Sequence, residues 1–143
     1  MPHYVILRKT FDEEGETYVL HRHTIPSFIP LESLAEEFFG RGVAGLEEFA
    51  LALHRHLILL SNRMNTVSRL KALEGVEEVK TDEAMRLVEL ITSRWTAKII
   101  LLDKGERCVV LNHDEERLKD VEKVILNANN EDEDIVNRIS RAI

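Results

Sequence analysis

A chain of 143 residues suits one domain with one hydrophobic core, and its hydrophobic fraction of 44% is ordinary for a globular protein. The formal net charge is −7 and no basic stripe stands out, which argues against binding DNA or RNA by phosphate neutralisation. A single cysteine excludes an internal disulfide framework, and no apolar run reaches the ~20 residues of a membrane helix, so we expect a soluble protein of the cytosol or nucleus.

Two segments near the N-terminus predict a β-hairpin. HYVILRK (residues 3–9) and TYVLHRH (17–23) are rich in β-branched and aromatic residues. The polar TFDEEGE between them contains Gly15, which can take a left-handed backbone angle. Both alternating faces of the first segment are apolar at its middle. We therefore predict a strand that is central in its sheet or covered on both faces.

Two prolines four residues apart, Pro26 and Pro30, follow the second strand. Neither has a backbone N–H, so neither fits a central strand ladder, and Pro30 stands where a fixed φ suits the start of a helix. Phe28 and Ile29 lie between them. We predict a structural corner of Pro26, Phe28, Ile29 and Pro30, in which the two apolar side chains fill the space between sheet and helices or face a partner.

Two helices are predicted after the corner. The first is short, is ended by GRGVAG (40–45), and has the apolar face Leu31, Leu34, Ala35 and Phe38. The second runs from Leu46 to about Leu73. Its apolar seam has alternating spacings of four and three: Leu46, Ala50, Leu53, Leu57, Leu60, Met64 and Val67.

Three apolar residues of the long helix lie outside that seam: Leu51, Ile58 and Leu59. Monomers rarely leave large contiguous apolar patches in water. We therefore predict that these three residues form an interface with a protein partner.

The C-terminal half predicts strands followed by helices. MRLVELITS suits a strand or a helix, and we take it as a strand because the next segment alternates strictly, with Trp95, Ala97, Ile99 and Leu101 on one face. The predicted elements are strands at 85–93, 94–102 and 107–112, helices at 115–127 and about 132–143, and a break at 128–134. The helix at 115–127 would bury Leu118, Val121, Val124 and Ile125. This order is typical of an α+β fold, with a mostly antiparallel sheet and helices packed on one face.

Two His-Arg-His triplets are the only pattern that resembles a metal site. On a strand, His21 and His23 would point the same way and could share a metal. On a helix, His54 and His56 would face about 200° apart. Covering the sheet edge and flanking the helix seam are simpler roles for the two pairs. We expect no bound metal, and a small metal-binding protein stays an alternative.

The sequence contains no motif that predicts catalysis. Cys108 lies in mid-strand, where a small buried hydrophobe is the simplest role. No Ser-His-Asp arrangement, glycine-rich phosphate loop or HExxH motif is present. We therefore predict that the protein is not an enzyme and has no cofactor.

Two segments, residues 21–39 and 46–70, resemble a known family. HRHTIPSFIPLESLAEEFF, followed by LEEFALALHRHLILLSNRMNTVSRL, resembles the C-terminal RWD domain of the CENP-O family of inner-kinetochore proteins. The shared features are His23, the FIPLE of residues 28–32, a short helix, and a long helix with Asn62-Arg63 near its centre. RWD domains are relatives of ubiquitin-conjugating folds without the catalytic cysteine. Their corner is usually Tyr-Pro-x-x-x-Pro, and Ile25 stands here in the place of the tyrosine.

The resemblance, which covers residues 17–70, implies a single RWD-like domain over residues 1–143 and a non-catalytic role as a protein scaffold. It implies a heterodimer with a CENP-P-like RWD protein, and docking of that pair onto CENP-Q-like and CENP-U-like subunits at the centromere in the nucleus. The charge and the lack of a long apolar run predict no direct contact with nucleic acid or membrane. The alternatives are another RWD or ubiquitin-conjugating-like adaptor with a different partner, and a small enzyme or metal protein that uses the histidines.

Overall fold

The computed structural model describes residues 2–129 and 132–143. The elements, in chain order, are β1 (Val5–Asp12), β2 (Gly15–His23), α1 (Leu31–Phe38), a short 3₁₀ helix (Phe39–Arg41), α2 (Gly42–Lys71), β3 (Val76–Thr81), β4 (Leu87–Thr92), β5 (Thr96–Leu101), β6 (Glu106–Leu111), α3 (Lys119–Leu126) and α4 (Ile135–Ala142). The predicted α+β class is confirmed, and all strand pairs are antiparallel. In the described residues the strands form two sheets, β1-β2 and β3-β4-β5-β6, where one was predicted.

The chain divides into two compact units, residues 1–58 and 59–143, and the boundary falls inside α2. The first unit contains the hairpin, α1 and the N-terminal part of α2. The second contains the rest of α2, the four-stranded sheet, α3 and α4. A single RWD-like domain over residues 1–143 stays a prediction.

The hairpin of the first unit is longer than predicted, because β1 extends to Asp12 and β2 begins at Gly15. This leaves a two-residue turn, and Gly15 has a φ of +121°. The prediction of a central or doubly covered first strand is wrong, since β1 pairs with β2 alone among the described residues. One face of β1 is half-buried through Val5 and Leu7, whereas Ile6 on the other face is 45% exposed.

The helix α2 begins at Gly42, four residues earlier than predicted, so two of the three glycines expected to end the first helix lie in the first turn of the second. Gly42 has a φ of +68°. Gly45 allows close packing of the helix ends, since a Cβ on it would lie 2.1 Å from the Phe38 carbonyl oxygen.

The buried stripe of α2 differs from the predicted seam. Ala50 and Met64 are exposed, although both were predicted to be buried. The buried residues of the stripe are Phe49, Leu53, Leu60, Val67 and Leu70. Phe49 replaces Ala50 because its ring packs against Phe39, with ring centroids 4.6 Å apart, and Phe39 also contacts Tyr18 edge-on.

The core of the second unit lies between its sheet and its helices. The predicted face Trp95, Ala97, Ile99 and Leu101 is confirmed as buried. It packs with Val67 and Leu70 of α2, Ile125 of α3, and Ile135, Val136 and Ile139 of α4. The strand β3 was not predicted, because charged residues interrupt its two apolar positions, Val76 and Val79.

The two C-terminal helices are shorter than predicted. α3 begins at Lys119, and Val124 is 37% exposed, so its predicted burial is wrong. α4 begins after Asp134, whose side chain accepts a hydrogen bond from the Asn137 N–H at 3.0 Å. The predicted break at 128–134 includes positions 130 and 131, which lie outside the described residues.

The outer edge of β6 is closed by the segment that leads into α3. The Leu118 N–H donates to the Val110 carbonyl at 2.8 Å, and the Val110 N–H donates to the Glu122 carboxylate at 3.0 Å. Arg117 contacts both carboxylate oxygens of Glu122, at 2.7 and 2.9 Å. Hydrogen bonding to Arg117 lowers the pKa of Glu122 against the opposing effect of burial, and the Val110 N–H lowers it further.

Candidate protein-binding surfaces

The corner between β2 and α1 separates its two large apolar side chains. Pro26 and Pro30 both lie outside the strands, and the Ile29 N–H donates to the Pro26 carbonyl at 3.1 Å, which closes a tight turn. Ile29 is 5% exposed and Phe28 is 36% exposed. Ile29 therefore belongs to the core of the first unit, whereas Phe28 is available to a partner.

The side chains of Leu51 and Ile58 are on the outside of α2 in the first unit. Leu51 is 68% exposed and Ile58 is 46% exposed. Residues seven apart on a helix lie only about 20° apart around its axis, so both side chains project from the same side. They form an exposed apolar pair two turns long, which we call the Leu51–Ile58 face.

Leu59 does not share that environment. It belongs to the second unit, is partly buried, and lines a cavity of about 200 Å³ with Asn62, Arg63 and residues of the β5–β6 turn. The Arg63 Nε donates to the Ala84 carbonyl at 2.9 Å. Burial, and then the like charge of Arg86, lower the pKa of Arg63. Arg63 of the Asn-Arg pair singled out in the sequence therefore has a structural contact in the second unit.

The two histidines of the first triplet accept hydrogen bonds from protein groups. The Arg8 guanidinium donates to the His21 Nδ1 at 3.2 Å, and the Ile25 N–H donates to the His23 Nδ1 at 3.1 Å. On α2, His54 is exposed and His56 is half-buried. Within residues 2–129 and 132–143, no three histidine, cysteine, aspartate or glutamate side chains come together as metal ligands.

Cys108 is buried in β6, which confirms the role predicted for it. Burial, and then the negative charge of Glu122, raise the pKa of its thiol to about 12. The nucleophilic thiolate is therefore a minor species at neutral pH.

A groove in the first unit was not found from the sequence. Its volume is about 330 Å³, and it is lined by Val5 and Leu7 of β1, Ile25, and Phe49, Leu53 and Leu57 of α2. No residue of β2 lines it, so it lies on the β1 side of the hairpin. The alternation of Val5 and Leu7 was the available signal, but no pattern in the sequence indicates that residues of α2 line the same groove.

No helix among the described residues is both long enough and apolar enough to cross a membrane. A search of curated protein sequences finds no significant match. The model of the Cenp-O kinetochore centromere component family matches residues 1–139, nearly the whole chain. This match extends the resemblance of residues 17–70 over both units, and it places the protein in the nucleus, at the centromere. The chain belongs to the CENP-O family of kinetochore components.

Proposed function

We propose that the chain is a non-catalytic scaffold of the inner kinetochore that binds a CENP-P-like RWD protein through the Leu51–Ile58 face. The resulting pair docks CENP-Q-like and CENP-U-like subunits. The observation that carries the proposal is the exposure of two large apolar side chains on one side of α2, in a member of a kinetochore family. Kinetochore components work within complexes, and an exposed apolar pair is suited to a protein partner.

Phe28 and Leu59, the other two predicted contact residues, lie outside the Leu51–Ile58 face. Phe28 is exposed at the corner of the first unit, where it adds a second apolar contact. Leu59 lines the cavity of the second unit, so any contact that it makes with the partner lies there and not on the Leu51–Ile58 face. Aromatic and aliphatic anchors of this kind usually supply a large share of the binding energy.

The test is the substitution Ile58→Asp, measured by titration calorimetry with a purified CENP-P-like RWD protein. A partner that covers position 58 would bury an unpaired carboxylate, so the affinity should fall about tenfold or more. Ser68→Asp is the matched control, because it adds the same charge at an exposed position of α2. Both variants should keep the circular dichroism of the parent.

The two ways in which this test can fail are distinct. If Ile58→Asp unfolds the isolated chain, Ile58 belongs to the core and the partner surface lies elsewhere. If Ile58→Asp folds and binds as tightly as Ser68→Asp, the Leu51–Ile58 face takes no part in binding.

A further inference from the structure

The outer edge of β1 is unpaired in the first unit. The Thr24 N–H donates to the Tyr4 carbonyl at 3.0 Å, so the backbone groups of Tyr4 point toward β2. The register shifts between Ile6 and Leu7, and the extra residue, His21, is on β2, so the direction of the backbone groups still alternates along β1. The backbone groups of Val5, Leu7 and Lys9 therefore point away from β2. Among the described residues, no other strand pairs with this edge.

Both edges of the four-stranded sheet are protected, in contrast to the outer edge of β1. Leu118 and Glu122 bind both backbone groups of Val110 at the β6 edge. The strand β3 carries three charged residues, Glu77, Glu78 and Lys80. Proteins commonly protect sheet edges by such coverage and charge. A two-stranded sheet is marginally stable by itself, whereas a third strand adds a ladder of backbone hydrogen bonds.

An apolar groove lies beside this open edge. It is the cavity of about 330 Å³ between β1 and α2, with Val5 and Leu7 on one side and Phe49, Leu53 and Leu57 on the other. In a strand added to β1, every second side chain would point to the same face as Val5 and Leu7. The groove therefore offers an apolar site for alternate side chains of such a strand.

The opposite face of the hairpin is cationic. It carries Arg8, which alternates with Leu7, and Arg22, which pairs with Ile6, although the whole chain has a net charge of −7. Lys9 lies on the groove face and forms an ion pair with Glu16 at 2.8 Å. Among the described ion pairs, none involves Arg8 or Arg22, and the guanidinium of Arg8 contacts His21. Acidic side chains of an added strand would complement this face.

The positive charges of the hairpin distinguish two candidate occupants of the β1 edge, a second copy of this chain and an acidic strand of another protein. Pairing β1 with β1 of a second copy would bring the Arg8 side chains of both copies onto one face, and like charges on neighbouring strands are destabilising. An acidic strand has no such penalty. We infer that the outer edge of β1 binds an extended acidic segment of a partner protein, which adds a third strand, places alternate apolar side chains in the groove and directs its carboxylates toward Arg8 and Arg22.

This inference concerns a surface distinct from the Leu51–Ile58 face and does not depend on it. The probe is a blocked, fluorescein-labelled peptide of alternating valine and glutamate with the length of β1, 8 residues. Its binding to the full chain is measured by fluorescence anisotropy. A valine–lysine peptide of the same length is the charge control, and it should not bind.

The substitution Lys9→Pro removes an outward-pointing N–H without removing a hydrogen bond between β1 and β2. It should weaken binding of the valine–glutamate peptide about tenfold or more, whereas Lys9→Ala, which keeps the N–H, should bind within about threefold of the parent. Arg8→Glu should also weaken binding, because it reverses the charge that faces the glutamates.

Amide hydrogen exchange tests the same edge in the parent protein, so its result does not depend on whether a variant folds. Saturating peptide should slow exchange at Leu7 and Lys9 and leave Arg8, whose N–H points toward β2, unchanged. The inference is overturned if the valine–glutamate peptide fails to bind at about 1 mM. Equal binding to Lys9→Pro and Lys9→Ala, or unchanged exchange at Leu7 and Lys9, would also overturn it. A dimer of the parent chain that Lys9→Pro abolishes would assign the edge to a second copy instead.

Discussion

Phe28 and Ile29 are neighbours in the chain but have opposite environments at the corner. The turn closed by the Ile29 N–H and the Pro26 carbonyl directs Ile29 into the core and leaves Phe28 at the surface. Burial of a large apolar side chain contributes to stability, whereas an exposed one contributes mainly to binding. The corner thus combines a structural residue with a candidate contact residue.

We predict different costs for truncating these two side chains. Ile29→Ala should lower the free energy of unfolding by about 3 kcal/mol, because it leaves a cavity in a buried site. Phe28→Ala should cost about 1 kcal/mol or less, because its ring is partly in water already. Urea unfolding of the two variants measures both values. Equal costs would show that Phe28 is a core residue.

A second prediction at this scale concerns pH and Glu122. Because the folded-state pKa of Glu122 lies below its ordinary value of 4.5, its charge stabilises the fold at all pH values above about 4.5. This stabilisation is lost as pH falls through the lowered pKa. Glu122→Gln should therefore reduce the melting temperature at pH 7, and the difference from the parent should narrow below pH 4.5. A difference that stays constant down to about pH 3 would contradict this assignment.

At the scale of elements, α1 and α2 meet through a glycine. The position of Gly45 leaves no space for a side chain, since a Cβ there would lie 2.1 Å from the Phe38 carbonyl oxygen and 2.7 Å from the Arg41 Cβ. Backbone atoms cannot move aside as a flexible side chain can. The packing of these two helix ends therefore requires a glycine.

Gly45→Ala should destabilise the chain by about 1–3 kcal/mol, through the clash with the Phe38 carbonyl. Gly40→Ala is the matched control, because a Cβ at Gly40 would meet no atom within 4 Å. Thermal unfolding of the two variants compares them directly. Similar melting temperatures would show that the helix ends adjust without cost.

Strict alternation over residues 95–101 made β5 predictable, and it placed Trp95 and Ile99 correctly in the core. The register of α2 was harder, because apolar residues stand next to each other and a choice between Phe49 and Ala50 depends on the ring of Phe39. The groove beside β1 could not be predicted, since it needs contacts between β1 and α2, which are distant in the chain. The strand β3 was not predicted because charged residues interrupt its short apolar pattern of Val76 and Val79.

At the scale of the whole molecule, the boundary between the two units lies inside α2. Both units include part of this one helix, Gly42–Lys71, and on that ground we propose that residues 1–143 unfold as a single domain.

We predict a single cooperative unfolding transition in urea. The fluorescence of Trp95 reports on the second unit, and tyrosine absorbance reports on the first, which contains both tyrosines, Tyr4 and Tyr18. The two signals should change at the same urea concentration. Separate midpoints would show that the units are independent domains.

The central claim is that the chain is a scaffold that holds a CENP-P-like partner through the Leu51–Ile58 face. The most direct measurement is the affinity of that partner, purified, for the parent chain and for Leu51→Asp, because Leu51 is 68% exposed and its replacement should leave the fold intact. We predict a complex of equal stoichiometry with the parent, and binding about tenfold weaker or more for Leu51→Asp with unchanged circular dichroism. The absence of a complex with the parent, or equal affinities of the two chains, would contradict the claim.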